Sequence, residues 1–283
     1  MKQGFVKTGD GAYIHYEMTG KGQPILFIHG IFGSKKFFEK NVASLKENFS
    51  VITIDLRGHG KSSKGLDGYS IDRLAQDVHE VIKQLKLKNV LLMGWSMGGP
   101  ITLSYWKQFG AKKGRIAGLG LIDITPFPFS SGKWNTHNMR NYNAEAFNGF
   151  VSGILSDQRK FVENFDTLMF KEGKRPTNIE WAIEERMKLP PYQAIALYGS
   201  YVYSDYTDVL KTITVPTLVL AADSICYPQG IKQGKWLAKQ IPDSTFVQFD
   251  EGGHMLFHIE ADKFNKAVEK HAKSLQKKFR KRK

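Results

Sequence analysis

Short, mostly apolar runs recur along the chain and are separated by polar stretches with helical patterns. Six such runs lie at residues 25–28, 51–54, 90–93, 116–122, 216–221 and 246–249. Residues 70–85 instead place Leu74, Val78, Val81 and Leu85 on one side of a helix. Apolar runs of this length are typical of strands buried on both faces, and their alternation with helices indicates βαβ units. The pattern predicts an α/β fold with a doubly wound, mostly parallel sheet covered by helices on both faces.

Residues 126–215 break this alternation, because they contain helical patterns but no convincing buried strand. The segment holds 15 of the 35 aromatic residues in under a third of the chain. We interpret it as a helical cap inserted into a core that is formed by residues 1–125 and 216–283. Most of its aromatic side chains are expected to build the cap's own small core, and the rest to line an apolar pocket.

One predicted strand-to-helix junction contains a candidate catalytic serine. Gly-Trp-Ser-Met-Gly at 94–98 follows an apolar run, and a helix-compatible run follows it at 100–107. A serine in Gly-x-Ser-x-Gly at such a junction is the sequence form of a nucleophile elbow, a sharp turn that exposes the hydroxyl. Side chains in place of the two glycines would crowd the turn. Ser96 is therefore the predicted nucleophile, and the backbone N–H of Met97 is a predicted oxyanion donor.

A serine hydroxyl attacks poorly unless a base lies within hydrogen-bond reach. Four histidines compete for this role: His29, His59, His254 and His258. His254 is favoured, because it follows the last predicted strand through two glycines on a loop that can turn back over the junction. His29 is expected to shape the loop that supplies the second oxyanion donor, the backbone N–H of Ile31.

Two residues are candidates for the carboxylate that would orient His254. Asp123 ends the strand that follows the junction strand, and Asp223 ends the next one. The carboxyl ends of parallel strands meet at one edge of a sheet, so both residues are expected near the site. The order serine, acid, histidine along the chain fits either acid. The sequence therefore predicts a triad of Ser96, His254 and one of these two aspartates.

The composition of the chain limits which cellular compartment and which partners are expected. The chain has 283 residues, a formal net charge of +14 and one cysteine, Cys226, so no intrachain disulfide can form. Eight of the positive charges lie within residues 270–283, which we interpret as a solvated helix end. The N-terminal stretch lacks the apolar run of a signal peptide, and no stretch reaches the length of a membrane span. We expect a cytoplasmic protein without a membrane span, nucleic-acid partner, metal or cofactor; its oligomeric state is not predicted.

The chain resembles the α/β-hydrolase superfamily in motifs that follow one another in the family order. They are His-Gly-Ile-Phe-Gly at 29–33, Asp-Leu-Arg-Gly-His-Gly-Lys-Ser at 55–62, Gly-Trp-Ser-Met-Gly-Gly at 94–99, and Gly-His at 253–254. Within the superfamily it is similar to small capped carboxylesterases. The resemblance implies a serine hydrolase that cleaves a small carboxylic ester with an apolar acyl group through an acyl-enzyme. Lactonase, perhydrolase or C–C bond hydrolase activity, or a ligand sensor with slow turnover, are the alternatives.

The same resemblance bears on the choice of acid. Many relatives carry it in Gly-x-x-Asp-x-x-x-Pro, and counting back from Pro228 puts Ser224 at the position of that aspartate. Asp223 comes one residue early, and in a strand a shift of one residue turns the side chain to the opposite face. Residues 121–126, in contrast, look like the strand end that supplies the acid in a subset of α/β-hydrolases. Asp123 is therefore the predicted acid, with Asp223 as the alternative.

Overall fold

A computed structural model of the protein describes residues 1–110, 115–173, 176 and 180–280, with side chains described through residue 277. These residues form one eight-stranded sheet: β1 (Lys2–Lys7), β2 (Tyr13–Thr19), β3 (Pro24–Ile28), β4 (Ser50–Ile54), β5 (Val90–Trp95), β6 (Ile116–Ile122), β7 (Thr217–Ala221) and β8 (Ser244–Gln248). The strand order is β1-β2-β4-β3-β5-β6-β7-β8. β2 is antiparallel to both of its neighbours, and every other pair is parallel. The predicted α/β class with a mostly parallel sheet is confirmed.

Helices lie between and after the strands of this sheet. In the described residues they are α1 (Glu39–Leu45), α2 (Ile71–Gln84), α3 (Gly98–Phe109), α4 (Ala144–Ser156), α5 (Gln158–Thr167), α6 (Glu180–Arg186), α7 (Pro191–Tyr203), α8 (Gly230–Gln240), α9 (Leu256–Ile259) and α10 (Ala261–Arg280). Ser70 caps α2 by accepting a hydrogen bond from the Arg73 N–H, as serine commonly does at this position. Among the described residues, no helix combines the length and the apolar character that crossing a bilayer requires.

Side chains alternate between the two faces of the sheet and so build two layers of core. In β3, Leu26 and Ile28 join the cluster that contains the apolar side chains of α2 and α3. Their neighbours Ile25 and Phe27 join the cluster that contains those of α1 and α10. All four side chains are completely buried. Burial on both faces explains why the strands read as unbroken apolar runs in the sequence.

The C-terminal helix differs from the expectation of a solvated end beginning at residue 270. In α10, Ala272 and Leu275 are buried in the second core layer. Leu275 packs so closely against β6 that a side chain added at Gly118 would lie 2.8 Å from its Cδ1. The expectation is therefore wrong for this part of the helix, because an apolar face still covers the sheet. Residues 281–283 lie outside the described residues.

The helices α4 to α7 fall in residues 126–215, between β6 and β7, and we call this stretch the inserted segment. Its aromatic side chains pack on the loop that follows β3. The ring of Phe32 lies 6.0 Å from that of Phe150 and 5.2 Å from that of Phe165. Phe32 is fully buried by these contacts. The inserted segment is thereby held over the carboxyl ends of the parallel strands, where ligand sites of such sheets form.

Candidate active site

Ser96 occupies a sharp turn between β5 and α3. Its backbone has φ of 54°, in the left-handed region that residues other than glycine rarely adopt. Hydrogen bonds fix this conformation, since the Ser96 N–H donates to the Ile122 carbonyl at 3.1 Å and the Gly99 N–H donates to the Ser96 carbonyl at 2.8 Å. A side chain at Gly94 would collide with the carbonyl of Gly98, so this close approach requires glycine. The turn has the form that the Gly-x-Ser-x-Gly pattern predicts.

His254 is held by backbone contacts from two directions. It lies in a 3₁₀ turn, Gly253–Met255, after β8. Its carbonyl accepts a hydrogen bond from the indole N–H of Trp95 at 2.8 Å, and its N–H donates to the carbonyl of Met169 at 2.7 Å. Trp95 directly precedes Ser96, whereas Met169 belongs to the inserted segment. The histidine backbone is therefore fixed to both the core and the inserted segment.

Asp123 is the carboxylate that contacts this histidine. The His254 Nδ1–H donates to Asp123 Oδ2 at 2.6 Å, and both side chains are buried. The other carboxylate oxygen accepts a hydrogen bond from the Ala222 N–H at 3.2 Å. Burial raises the pKa of Asp123, while the hydrogen bond from His254 acts in the opposite direction. With Nδ1 donating to the carboxylate, Nε2 of a neutral His254 is free to accept a proton.

Asp223, the alternative acid, has a different partner. Its Oδ1 accepts a hydrogen bond from the Ile231 N–H at 2.9 Å, in the first turn of α8. A carboxylate at this place satisfies a backbone donor that the helix leaves unpaired. Ser224, at the position where many relatives carry the acid, accepts a hydrogen bond from the Tyr227 N–H at 3.2 Å. Neither side chain therefore takes the place of Asp123 beside His254.

The loop after β3 approaches Ser96 very closely. A Cβ atom at Gly30 would lie 2.6 Å from Cβ of Ser96. Phe32, two residues later, has φ of 57°, so the backbone turns sharply here. Within the described part of the chain, the backbone N–H groups of Ile31 and Met97 donate to no other protein group. Two unpaired donors next to a serine hydroxyl are what an oxyanion hole requires.

The other three candidate bases, His29, His59 and His258, lie in surroundings that give them structural roles. His29 Nε2 accepts a hydrogen bond from the Leu56 N–H at 3.0 Å, and its Nδ1–H donates to the Gly30 carbonyl at 2.8 Å. The ring of His59 packs against that of His29 at 4.8 Å. Burial lowers the pKa of both groups, that of His59 to about 3. His258 is buried with its ring 5.5 Å from that of Trp181.

A cavity of about 440 Å³ joins these parts. Ser96, Ile31 and His254 line it together with side chains of the inserted segment, which include Phe150, Phe161, Phe165, Leu168 and Tyr198. This volume suits a small, mostly apolar molecule. No lysine, arginine, aspartate or glutamate side chain is among the described residues that line it.

Several residues beside the site were not singled out from the sequence. Met169 holds the backbone of His254, and His137 and Tyr227 line the cavity. These residues carry no motif. The relation of Met169 and His137 to the site depends on how the inserted segment folds, and that of Tyr227 depends on the loop between β7 and α8. In the described residues, no group of three histidine, cysteine, aspartate or glutamate side chains is arranged to hold a metal ion.

The comparison with known proteins agrees with this fold. The sequence model of the alpha/beta hydrolase fold matches residues 23–261, so the chain belongs to the α/β-hydrolase family and is a hydrolase enzyme. A curated relative, AB hydrolase superfamily protein YisY of Bacillus subtilis (strain 168), is 29% identical over 268 residues, which are 93% of this chain and 97% of the relative.

Two solved structures are similar over nearly the whole chain. An esterase from Exiguobacterium antarcticum has a TM-score of 0.87 and 28% identity, covering 96% of this chain and 100% of its own. A bromoperoxidase from Bacillus anthracis has a TM-score of 0.86 and 28% identity, with the same coverage. The resemblance inferred from the four motifs is thereby confirmed at the level of the family.

Proposed function

We propose that the protein is a serine hydrolase that cleaves small carboxylic esters with an apolar acyl group through an acyl-enzyme. The observation that carries the proposal is the hydrogen bond of 2.6 Å between His254 and Asp123 in a cavity that Ser96 also lines. The apolar lining of that cavity supports the apolar acyl group. The similar esterase from Exiguobacterium antarcticum supports the reaction class.

In the proposed mechanism, His254 Nε2 takes the hydroxyl proton as Ser96 attacks the ester carbonyl. The backbone N–H groups of Ile31 and Met97 stabilise the tetrahedral oxyanion. His254 returns the proton to the leaving alcohol as the ester C–O bond breaks, and an acyl-serine remains. Water then attacks that acyl group with His254 as base, and His254 returns the proton to Ser96 Oγ as the bond between Oγ and the acyl carbon breaks and the acid is released. Asp123 holds the imidazole in the productive tautomer and stabilises its charged form.

We further propose that the inserted segment is a cap domain, residues 126–215, over a core of residues 1–125 and 216–283. Its supporting contacts are the hydrogen bond from the His254 N–H to the Met169 carbonyl and the aromatic side chains in the cavity. A cap of this kind excludes water from the reacting groups. A cytoplasmic location stays a prediction that rests on the single cysteine, Cys226.

A second candidate is perhydrolysis, and the similar bromoperoxidase from Bacillus anthracis favours it. In that reaction hydrogen peroxide replaces water in the attack on the acyl-serine, and a peracid is released instead of the acid. Both candidates share the acyl-enzyme and require the same groups. They differ in which nucleophile the cavity admits.

Turnover of a short p-nitrophenyl ester tests the proposal. The wild-type protein should release nitrophenol, and Ser96→Ala should lower kcat by roughly 10⁶-fold if the groups act as a unit. Adding hydrogen peroxide and assaying peracid separates the two candidates. A folded wild-type protein that turns over no short ester, or a Ser96→Ala variant that retains activity, would overturn the proposal.

A further inference from the structure

A cluster of polar side chains lies inside the otherwise apolar cavity. The ring of His137 lies 4.9 Å from that of Tyr227 and 5.9 Å from that of Tyr201. All three side chains line the cavity, and each is at least nine-tenths buried, with 6%, 1% and 2% exposure for His137, Tyr227 and Tyr201. The ring of Tyr227 also lies 5.2 Å from that of His254. We call these three residues the polar cluster.

His137 presents a hydrogen-bond donor to the cavity. Its Nδ1 accepts a hydrogen bond from the Met139 N–H at 3.1 Å, so this nitrogen carries no proton. Burial lowers the pKa of His137 to about 3, and the ring is therefore neutral near pH 7. The single proton must then be on Nε2. Among the described residues, no group accepts a hydrogen bond from that Nε2–H.

The two tyrosines supply a second donor. Their hydroxyl oxygens are 3.4 Å apart, and a single hydrogen bond joins them. Burial raises the pKa of both hydroxyls, so each keeps its proton. Two hydroxyl hydrogens share one such bond, and no other protein acceptor is found for the second hydrogen in the described part of the chain. These donors belong to side chains that line the cavity, so an oxygen of a bound ligand can accept hydrogen bonds from them.

The loop that carries His137 is fixed on both sides. The N–H of His137 donates to Oδ1 of Asn135 at 3.1 Å, and that of Asn138 donates to the Cys226 carbonyl at 3.2 Å. Thr136 is tied to α8 through Oε1 of Gln233, which accepts a hydrogen bond from its N–H at 2.6 Å. A donor held this rigidly loses little entropy when a ligand binds. The polar cluster is therefore preorganised for binding a ligand.

The geometry points to a subsite for a neutral acceptor oxygen of the substrate, bound by His137 and the hydroxyls of Tyr201 and Tyr227. This inference rests on the proposed function and deepens it: the substrate class is an ester with a second ether, ketone or hydroxyl oxygen near the scissile bond. A carboxylate is disfavoured, since no cationic side chain is among the described residues lining the cavity. The other polar lining residues include Asn138 and Asn164, which are exposed.

Two pairs of nearly isosteric esters test the subsite. Propoxyethyl acetate and n-hexyl acetate differ by an oxygen in the alcohol part, whereas ethyl propoxypropanoate and ethyl heptanoate differ by an oxygen in the acyl part. The measured quantity, for each pair, is kcat/KM of the ester with the additional oxygen divided by kcat/KM of its hydrocarbon partner. Comparing this ratio between protein variants cancels the intrinsic reactivity of the esters.

In one of the pairs, we expect the ratio to fall about tenfold in Tyr227→Phe and in His137→Phe, because each loses a donor. The pair that responds tells which part of the substrate carries the oxygen. His137→Gln, whose amide N–H can replace Nε2–H, should retain most of the preference. Tyr192→Phe is the matched control on α7, because this tyrosine is exposed and lies away from the cavity.

Equal ratios in the wild type and in all cluster variants, for both pairs, would overturn the inference. Failure of the proposed function looks different, since then no ester of either pair is hydrolysed. In that case titration calorimetry with Ser96→Ala and the same four esters still decides the matter. Tighter binding of an oxygen-containing ester, lost in the Ser96→Ala/Tyr227→Phe protein, supports the subsite, and equal binding contradicts it.

Discussion

Asp123 and Asp223 end neighbouring strands but have different partners. The Asp123 carboxylate accepts hydrogen bonds from His254 and from the Ala222 N–H, at 2.6 Å and 3.2 Å. Its backbone has φ of 48°, a left-handed conformation that typically costs about 1–3 kcal/mol and persists where the surroundings enforce it. Asp223 instead accepts from the first turn of α8. The two carboxylates should therefore respond differently to the same change.

Replacing each aspartate by asparagine tests this difference. Asp123→Asn keeps the shape but offers His254 the wrong hydrogen-bonding group, and kcat should fall about 10⁴-fold. Asp223→Asn keeps an oxygen that can accept from the Ile231 N–H, so kcat should stay close to wild type. Steady-state kinetics with circular dichroism of both variants gives the answer. A crippled Asp223→Asn beside an active Asp123→Asn would transfer the acid role to Asp223.

At the residue scale, local sequence carried most of the information about the site. Ser96 could be predicted because its turn needs a fixed glycine spacing, which is visible in the letters. The pairing of Asp123 with His254 joins residues 131 positions apart and depends on where a loop turns after β8. No local pattern encodes that turn, so the sequence could rank the two acids but not observe their partners.

At the element scale, the described residues of α5 and α6 form two ion pairs between the helices, one buried and one exposed. Arg186 and Asp166 form a completely buried pair, with Nη2 2.7 Å from Oδ1. The Arg186 guanidinium also lies 5.0 Å from the ring centre of Phe37, in the core. Arg159 and Glu184 form an exposed pair at 2.9 Å. The buried pair thus links two helices of the inserted segment, and its arginine also contacts the core, while the exposed pair lies in solvent.

Removing each arginine distinguishes their contributions. Arg186→Leu removes a buried guanidinium that donates a hydrogen bond from Nε to Asp166 Oδ1 at 2.8 Å, which should lower the free energy of unfolding by about 1.5–3 kcal/mol. Turnover should fall as well, because Arg186 contacts Met255 beside His254, with Nη2 3.9 Å from the sulfur. Arg159→Leu is the control on the same pair of helices and should change either quantity little.

Urea unfolding and ester turnover of the two variants measure these effects. Equal stability of Arg186→Leu and Arg159→Leu would show that the buried pair does not hold the inserted segment.

The strands could be predicted from the sequence, because burial on both faces leaves unbroken apolar runs. The inserted segment could be recognised by the lack of such runs. Its contacts could not be predicted, since the Arg186–Asp166 pair has no periodic signature.

At the scale of the whole molecule, several histidines are buried and neutral. Burial lowers the pKa of His29, His59 and His137, the latter two to about 3, whereas an unfolded histidine titrates at about 6.5. As the pH falls below about 6.5, these histidines become protonated in the unfolded chain but stay neutral in the folded protein. The free energy of unfolding must then decrease until the folded pKa values are reached.

Each of these histidines should contribute a slope of roughly 1 kcal/mol per pH unit below about pH 6. Urea unfolding followed by tryptophan fluorescence, from about pH 7.5 to about pH 5, measures the slope where most carboxylates stay ionised. His137→Gln should show a shallower decline, because one titrating group is removed. A free energy of unfolding that is constant over this range would contradict the buried neutral state of the three histidines.

Ser96 is proposed to be an activated nucleophile in this cavity, and the whole proposed reaction depends on it. Covalent labelling with a fluorophosphonate, followed by mass spectrometry of the digested protein, tests it most directly, because the reagent reacts with a serine only where a base and oxyanion donors activate it. We expect one adduct, on Ser96, which is absent in Ser96→Ala and forms much more slowly in His254→Ala. An adduct on a different residue, or a folded wild-type protein that stays unlabelled, would contradict it.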